Sequence, residues 1–414
     1  MQRNRIVIDC DPGIDDTFAL ILCIKKLDVA GIVAVGGNTG LQFTSRNARY
    51  VTELTGRTDI PVYAGYDQPM LGNAVRAEYV HGVGGLGDLD IPEPKKQLEK
   101  EHGVDFLIRT FMNENDVSLV AIGPLTNVAQ ALLKEPELKK RIPEILIMGG
   151  AAFCGNQSPV AEFNIAADPE AAKIVMESGI PIRMFGLNAT RQNWMGEEQV
   201  KELRAVGNKV ADVCADLLSF AAKMYGHSEL CDASTVSWLI DPAVVKKSLM
   251  VHIDVETKGE FTRGMTVCDW RKYMGEDPKE DLSHEKQVDA DGKEPNVEMA
   301  MEFDKNRFWK LLVETVVKLS LKKDTPKIEV TMEPDEESNY TPQEKATYSK
   351  IKEYVKDKYG VNVHTSYIAQ VKRMCGLDMC ENYNKSKKEN PEVKQCPQEK
   401  VEYIKDTLKH FKLI

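Results

Sequence analysis

The sequence predicts an α/β protein: a mostly parallel open sheet with flanking helices, followed by a small, mainly helical C-terminal module. Three observations carry this expectation. Short apolar runs alternate with helical patterns through roughly the first 320 of the 414 residues. Gly, Asn and Asp recur where the apolar runs end, as they do at the ligand-binding edge of parallel sheets. The charge also changes sign along the chain. From Thr341 onward there are 15 Lys and Arg against 10 Asp and Glu, so with a net charge of -10 overall, residues 1–340 carry about -15.

Taken in order, Arg5 to Asp9 reads as a buried strand, followed by a Pro-Gly turn and a helix from about Asp15 to Lys26. Gly31 to Val35 is a second strand, ending in Gly36-Gly37-Asn38, and Thr44 to Leu54 is helical. Val117 to Ile122 is a strand, and Gly123-Pro124-Leu125-Thr126-Asn127 opens a helix. Glu144 to Met148 is a strand stopped by Gly149-Gly150. Asp168-Pro169-Glu170 starts a helix with Asp as its cap and Pro in its first turn. Ile182 to Phe185 is a fifth strand, residues 272–297 are a charged exposed loop, and Asp304 to Leu319 is a helix. The resulting division is a catalytic domain over 1–322, an acidic linker over 323–340 and a basic helical module over 341–414.

Hydrophobic residues make up 42% of the chain, enough for a sizeable core. The negative net charge argues against nucleic acid or an anionic membrane as the partner of the whole chain. No apolar stretch reaches the ~20 residues of a membrane span. Nine cysteines without regular spacing fit reduced thiols, so a cytoplasmic location is expected.

The sharpest chemical signal is Asp9-Cys10-Asp11-Pro12-Gly13-Ile14-Asp15-Asp16. Four carboxylates within eight residues, where a strand turns into a helix, repel one another unless a cation sits among them. Hard divalent ions such as calcium take several oxygen ligands of this kind. Without a cation, the same cluster would serve only to cap the helix and complement its dipole.

That string resembles the signature of the inosine-uridine-preferring nucleoside hydrolases. Further motifs follow in the same order: Gly37-Asn38-Thr39, His81-Gly82-Val83-Gly84-Gly85-Leu86-Gly87, Gly123-Pro124-Leu125-Thr126-Asn127, Met148-Gly149-Gly150, Gly155-Asn156, Ala161-Glu162-Phe163-Asn164-Ile165, Asp168-Pro169-Glu170, Asp241-Pro242 and Thr262-Arg263-Gly264-Met265-Thr266-Val267. The resemblance spans about residues 4–320. It implies calcium-dependent hydrolysis of the N-glycosidic bond of a ribonucleoside, on the fold of that family.

By resemblance, Asp11, Asp16 and Asp241 bind calcium through side chains and Ile122 through its carbonyl, with Asp241 also touching the ribose. Asp11 is the expected general base on the attacking water. Asp15 and Asn38 are expected at the 2'-hydroxyl, and Asn156, Glu162 and Asn164 at the 3'- and 5'-hydroxyls. His81 is expected on the base side. In the family, His or Trp stands immediately before the last metal-binding Asp. Here the residue before Asp241 is Ile240, an aliphatic group unable to protonate or stack on a base. His227 and Tyr225 are then the candidates for leaving-group activation. A homodimer or homotetramer is also implied.

The module after Thr341 has no counterpart in that family. Lys345 to Lys358 reads as an amphipathic helix, and Thr365 to Met374 as a second, basic one. Helix, Gly turn and basic helix suggest a helix-turn-helix. RNA or ribosome contact through Lys372, Arg373, Lys385, Lys387 and Lys388 stands against a plain docking or oligomerisation module. The alternative for the whole chain is a weakly catalytic, nucleoside-sensing or RNA-associated binding protein on the same fold.

Overall fold

Ile6-Val7-Ile8 is a β-branched run, and its alternate side chains are buried on opposite faces, as a central strand of a parallel sheet requires. In the computed structural model, the described residues are 5–273, 293–320, 348–361, 363, 365–375 and 396–410. The strands are β1 (Arg5–Cys10), β2 (Asp28–Ala34), β3 (Val62–Ala64), β4 (Val117–Ala121), β5 (Ile145–Met148), β6 (Ile182–Phe185), β7 (Trp194–Met195), β8 (Ser228–Glu229), β9 (Val245–Val255), β10 (Thr266–Asp269) and β11 (Val297–Phe303). Nine of them form one sheet in the order β10-β9-β11-β6-β5-β4-β1-β2-β3. β3 through β11 in that row are parallel, while β9 runs antiparallel to both β11 and β10.

The strand order reverses at β1, which has β2 on one side and β4 on the other. The chain therefore leaves neighbouring strands in opposite directions at their C-terminal ends and opens a crevice there. Asp11 to Asp16 follow β1 into this crevice, and Ile122 follows β4.

Both faces of the sheet are covered. Ile6, Ile8 and Cys10 pack with residues of helices Ile14–Lys26, Lys209–Tyr225, Cys231–Ile240 and Lys305–Ser320. Val7, Val33 and Ala121 pack with residues of helices Gly103–Asn113, Thr126–Lys134 and Pro169–Met176. Asp168 caps the last of these, accepting the Ala171 N–H at 3.1 Å, with Pro169 in its first turn.

The five strands expected from sequence are present, with β2 starting three residues earlier than expected, at Asp28. β3 and β9 to β11 were not legible. β9 opens with Lys246 and Lys247 exposed and is covered unevenly, so it lacks the continuous apolar run of the central strands. Most of the charged loop expected over 272–297 lies outside the described residues, and β11 begins at its last position.

The chain divides into two compact units, Met1–Thr325 and Pro326–Ile414. In the second, helices Tyr348–Tyr359, Thr365–Met374 and Gln398–His410 enclose their own small core of Ile351, Val355, Val363, Ile368, Val371, Val401, Ile404 and Leu408. The third of these helices was not anticipated. The expected linker, Lys385, Lys387 and Lys388 lie outside the described residues, as do the side chains of Lys372 and Arg373. No helix among the described residues is long and apolar enough to cross a membrane.

Candidate active site

Asp11 leaves the end of β1 and is buried against two glycines. A Cβ at Gly37 would lie 2.1 Å from Asp11 Oδ2, and one at Gly123 would lie 2.5 Å from Oδ1, so any larger residue at either position would displace the carboxylate. The Asn38 N–H donates to Asp11 Oδ2 at 2.6 Å. Oδ1 is buried and has no hydrogen-bond partner. Such an orphaned oxygen is costly unless it meets a ligand.

Asp16 closes the turn after β1. Its carboxylate accepts the Gly13 N–H at 2.9 Å, the Asp11 N–H at 3.2 Å and the Asn38 Nδ2 amide at 3.0 Å. Asn38 thus ties Asp11 to Asp16, and its Nδ2 also donates to the Asp11 carbonyl at 3.1 Å. A fourth acid, Asp232, arrives in the first turn of helix Cys231–Ile240, and its N–H donates to Asp15 Oδ2 at 3.4 Å. Carboxylate oxygens of Asp15, Asp16 and Asp232 lie within 4.8 Å of one another.

Burial and mutual repulsion act on these acids together. Burial raises Asp11 well above the usual carboxylate range, helped by the charges of Asp16 and Asp15. Burial and Asp15 lift Asp16 to about 7, although the Gly13 N–H, the Asp232 side chain and the Asp11 N–H oppose the shift. Asp232 is raised by burial and then by Asp15, Asp16 and Asp11. A divalent cation would remove this repulsion and supply Asp11 Oδ1 with a partner, so the residues present fit one.

Asp241 is not part of this cluster. It ends helix Cys231–Ile240, at whose start Asp232 stands, and nine residues of helix separate the two acids by about 14 Å. Its carboxylate is clamped by Arg307, with Nε to Oδ2 at 2.5 Å and Nη2 to Oδ1 at 2.9 Å. Asp232, not Asp241, therefore stands beside Asp15 and Asp16, and the residue preceding this acid is Cys231 rather than Ile240. Cys231 lines the cavity. Burial raises its thiol pKa, reinforced by the charges of Asp15, Glu229 and Asp232, so it stays protonated at neutral pH. Sequence alone offered one hint, an Asp in the first turn of an apolar helix, and the Asp-Pro pair at its other end obscured it.

The cluster lies at one end of a cavity of about 430 Å³. Ile122, Asn156, Glu162 and Asn164 line it beside the acids. Asn164 Nδ2 holds the Ile122 carbonyl at 3.0 Å and the Met148 carbonyl at 3.1 Å. Since a carbonyl has two lone pairs, that of Ile122 can still accept from a ligand. The Glu162 carboxylate caps helix Phe163–Ala167, accepting from the N–H groups of Asn164, Ile165 and Gly150. Burial raises it to about 7. Asn156 Oδ1 accepts the Phe163 N–H at 2.9 Å.

The rest of the lining comes from helix ends and loops: Tyr79, Val80, His81, Ala221, Tyr225, His227 and Glu229. His81 Nδ1 accepts the Ile14 N–H at 3.1 Å, which leaves Nε2 as the protonated nitrogen of a neutral ring. Burial lowers its pKa, opposed by Asp15. The His227 ring stacks on Trp194 at 4.4 Å. The Tyr225 hydroxyl donates to the Tyr79 carbonyl at 3.0 Å across the mouth of the cavity. Of the expected site residues, all but Asp11, Asp16 and Asp241 line this one cavity, and Asp11 and Asp16 are buried behind Asn38 of its wall, which is hydrogen-bonded to both.

A family model described as inosine-uridine preferring nucleoside hydrolase matches residues 6–310. An uncharacterized protein of Schizosaccharomyces pombe is 40% identical over 277 residues, which is 64% of this chain and 89% of that protein. The pyrimidine-specific ribonucleoside hydrolase RihA of Escherichia coli is 39% identical over 283 residues, 66% of this chain and 91% of the relative. Among solved structures, the purine-preferring ribonucleoside hydrolase from Gardnerella vaginalis superposes with a TM-score of 0.68 at 30% identity, covering 76% of this chain and 99% of that one.

Proposed function

Because the chain belongs to the inosine-uridine preferring nucleoside hydrolase family, we propose that it hydrolyses the N-glycosidic bond of ribonucleosides to ribose and free base, with calcium as its metal. The observation that carries this is the set of buried acids at the strand-order reversal, with Asp11 Oδ1 lacking any protein partner. Asp11, Asp16 and Asp232 would hold the ion, with the Ile122 carbonyl. Bound there, such an ion would supply Lewis acidity toward sugar hydroxyls and a water.

The chain's own groups supply the rest. The Asp11 carboxylate, whose Oδ1 has no protein partner, takes a proton from the attacking water. Asp15, which lines the cavity, accepts from the 2'-hydroxyl, with Asn38 beside it. Asn156, Glu162 and Asn164 receive the remaining sugar hydroxyls. As the glycosidic bond breaks, positive charge develops on the sugar, and the surrounding carboxylates stabilise it. Cys231 is a weak proton donor, so His81 and His227 are the nearer candidates for assisting the departing base.

The test is a ribose-release assay with inosine, uridine, cytidine, adenosine and guanosine in the presence of calcium. Release from at least one nucleoside is expected, abolished by chelation and restored by calcium. Asp11→Ala should lower the rate by roughly 10³-fold or more. No release from any nucleoside would overturn the proposal.

A further inference from the structure

One charged side chain in the cavity has no part in the steps above. Glu229 lies on β8, paired with Trp194 of β7, and lines the cavity between His227 and Cys231. Its Oε1 is 3.7 Å from His227 Nε2, and its Oε2 is 4.0 Å from the Cys231 sulfur. Both separations are longer than a good hydrogen bond, so the carboxylate keeps accepting capacity for a ligand. Its surroundings hold it in place. The His227 ring is fixed by its stack on Trp194, and the Glu229 backbone is paired in the short β7–β8 ladder. Among the described residues that line the cavity none is Lys or Arg, so His227 is the one basic side chain recorded there against this carboxylate.

We propose that Glu229 is the specificity-determining residue of the base end and selects nucleobases that carry an exocyclic amino group over their oxo counterparts. This rests on the hydrolase reading. A carboxylate can only accept. An amino group facing it gains a charge-assisted hydrogen bond, whereas a carbonyl oxygen in the same place is repelled and leaves the carboxylate unpaired. The rings of Tyr79 and Tyr225, at the same end, offer apolar faces to any base and do not discriminate between the two.

The experiment compares kcat/KM within two substrate pairs, adenosine against inosine and cytidine against uridine, for the full-length wild type and Glu229→Gln. Wild type should favour the amino member by about tenfold or more in each pair it cleaves. Glu229→Gln has the same shape, but its amide can donate to a carbonyl, so it should bring the ratio close to parity. Parity or an oxo preference in the wild type would overturn the assignment, as would a ratio that Glu229→Gln leaves unchanged. If the variant fails to fold, the wild-type ratios still decide. Absence of ribose release from all four nucleosides would overturn the hydrolase reading itself, and this assignment with it.

Discussion

The two ends of the cavity are built differently. The carboxylate end stands on the C-terminal edges of β1, β2 and β4, and its polar groups restrain one another. Asn38 binds both Asp11 and Asp16, Asn164 holds the Ile122 carbonyl, and Gly37 and Gly123 leave room for one carboxylate and nothing more. The base end is assembled from the short helix Glu78–His81, the end of helix Lys209–Tyr225 and the two-residue β8, with Tyr79 and Tyr225 exposed. A sheet edge fixes charges rigidly, while helix ends and loops can vary without disturbing the core. The contrast suggests an invariant sugar chemistry joined to an adjustable choice of base.

The largest effect that would sharpen this contrast is expected at the rigid end. Gly37→Ala adds a methyl group where Asp11 Oδ2 now sits, so ribose release should fall at least 100-fold, a loss comparable to removing a general base. Near-normal turnover in that variant would show that the seat of Asp11 is not rigid.

A smaller effect is expected from pH in the chelated protein. Burial raises Asp9 to about 8, and Asp16 and Glu162 to about 7. The folded state therefore binds more protons than the unfolded state from about pH 4 up to about pH 8. The stability these groups contribute is fully present below the ordinary carboxylate range and is lost as pH rises through 7 to 8. The thermal midpoint without metal should fall from about pH 5 to about pH 8. Calcium should raise it more at the upper pH, because the cation favours ionised carboxylates. A midpoint that climbs with pH in chelator would contradict these shifts.

The smallest effect belongs to the adjustable end. Tyr225→Phe removes the hydroxyl that reaches the Tyr79 carbonyl. KM should rise a few-fold, with a stability change within about 1 kcal/mol. A large loss of kcat would mean that the mouth of the cavity is as tightly specified as its floor.

The same division governs what could be read from the sequence. Asp11, Asp15 and Asp16 are adjacent in the chain, and Asn38 and Ile122 end apolar strands, so short-range patterns locate them. Glu162 and Asn164 sit together at the start of a short helix. Asp232 was hidden because helix Cys231–Ile240 has an acid near each end, and only the threading of that helix decides which one faces the sheet edge. The correction also moves the residue of interest from Ile240 to Cys231. Glu229 gave no sequence signal, since one acid in a loop usually faces solvent. β9 to β11 were missed because their pairing is long-range and because Lys246 and Lys247 of β9 and Glu298 and Glu302 of β11 interrupt the apolar pattern.

The most direct test of the central claim is a calcium titration of the chelated protein by isothermal titration calorimetry, with Asp232→Ala and Asp241→Ala beside the wild type. The account predicts that Asp241→Ala binds calcium as wild type does and loses little stability, because its pair with Arg307 is exposed to solvent. Asp232→Ala should bind at least 100-fold more weakly and release no measurable ribose. Calcium binding lost in Asp241→Ala and kept in Asp232→Ala would contradict the account.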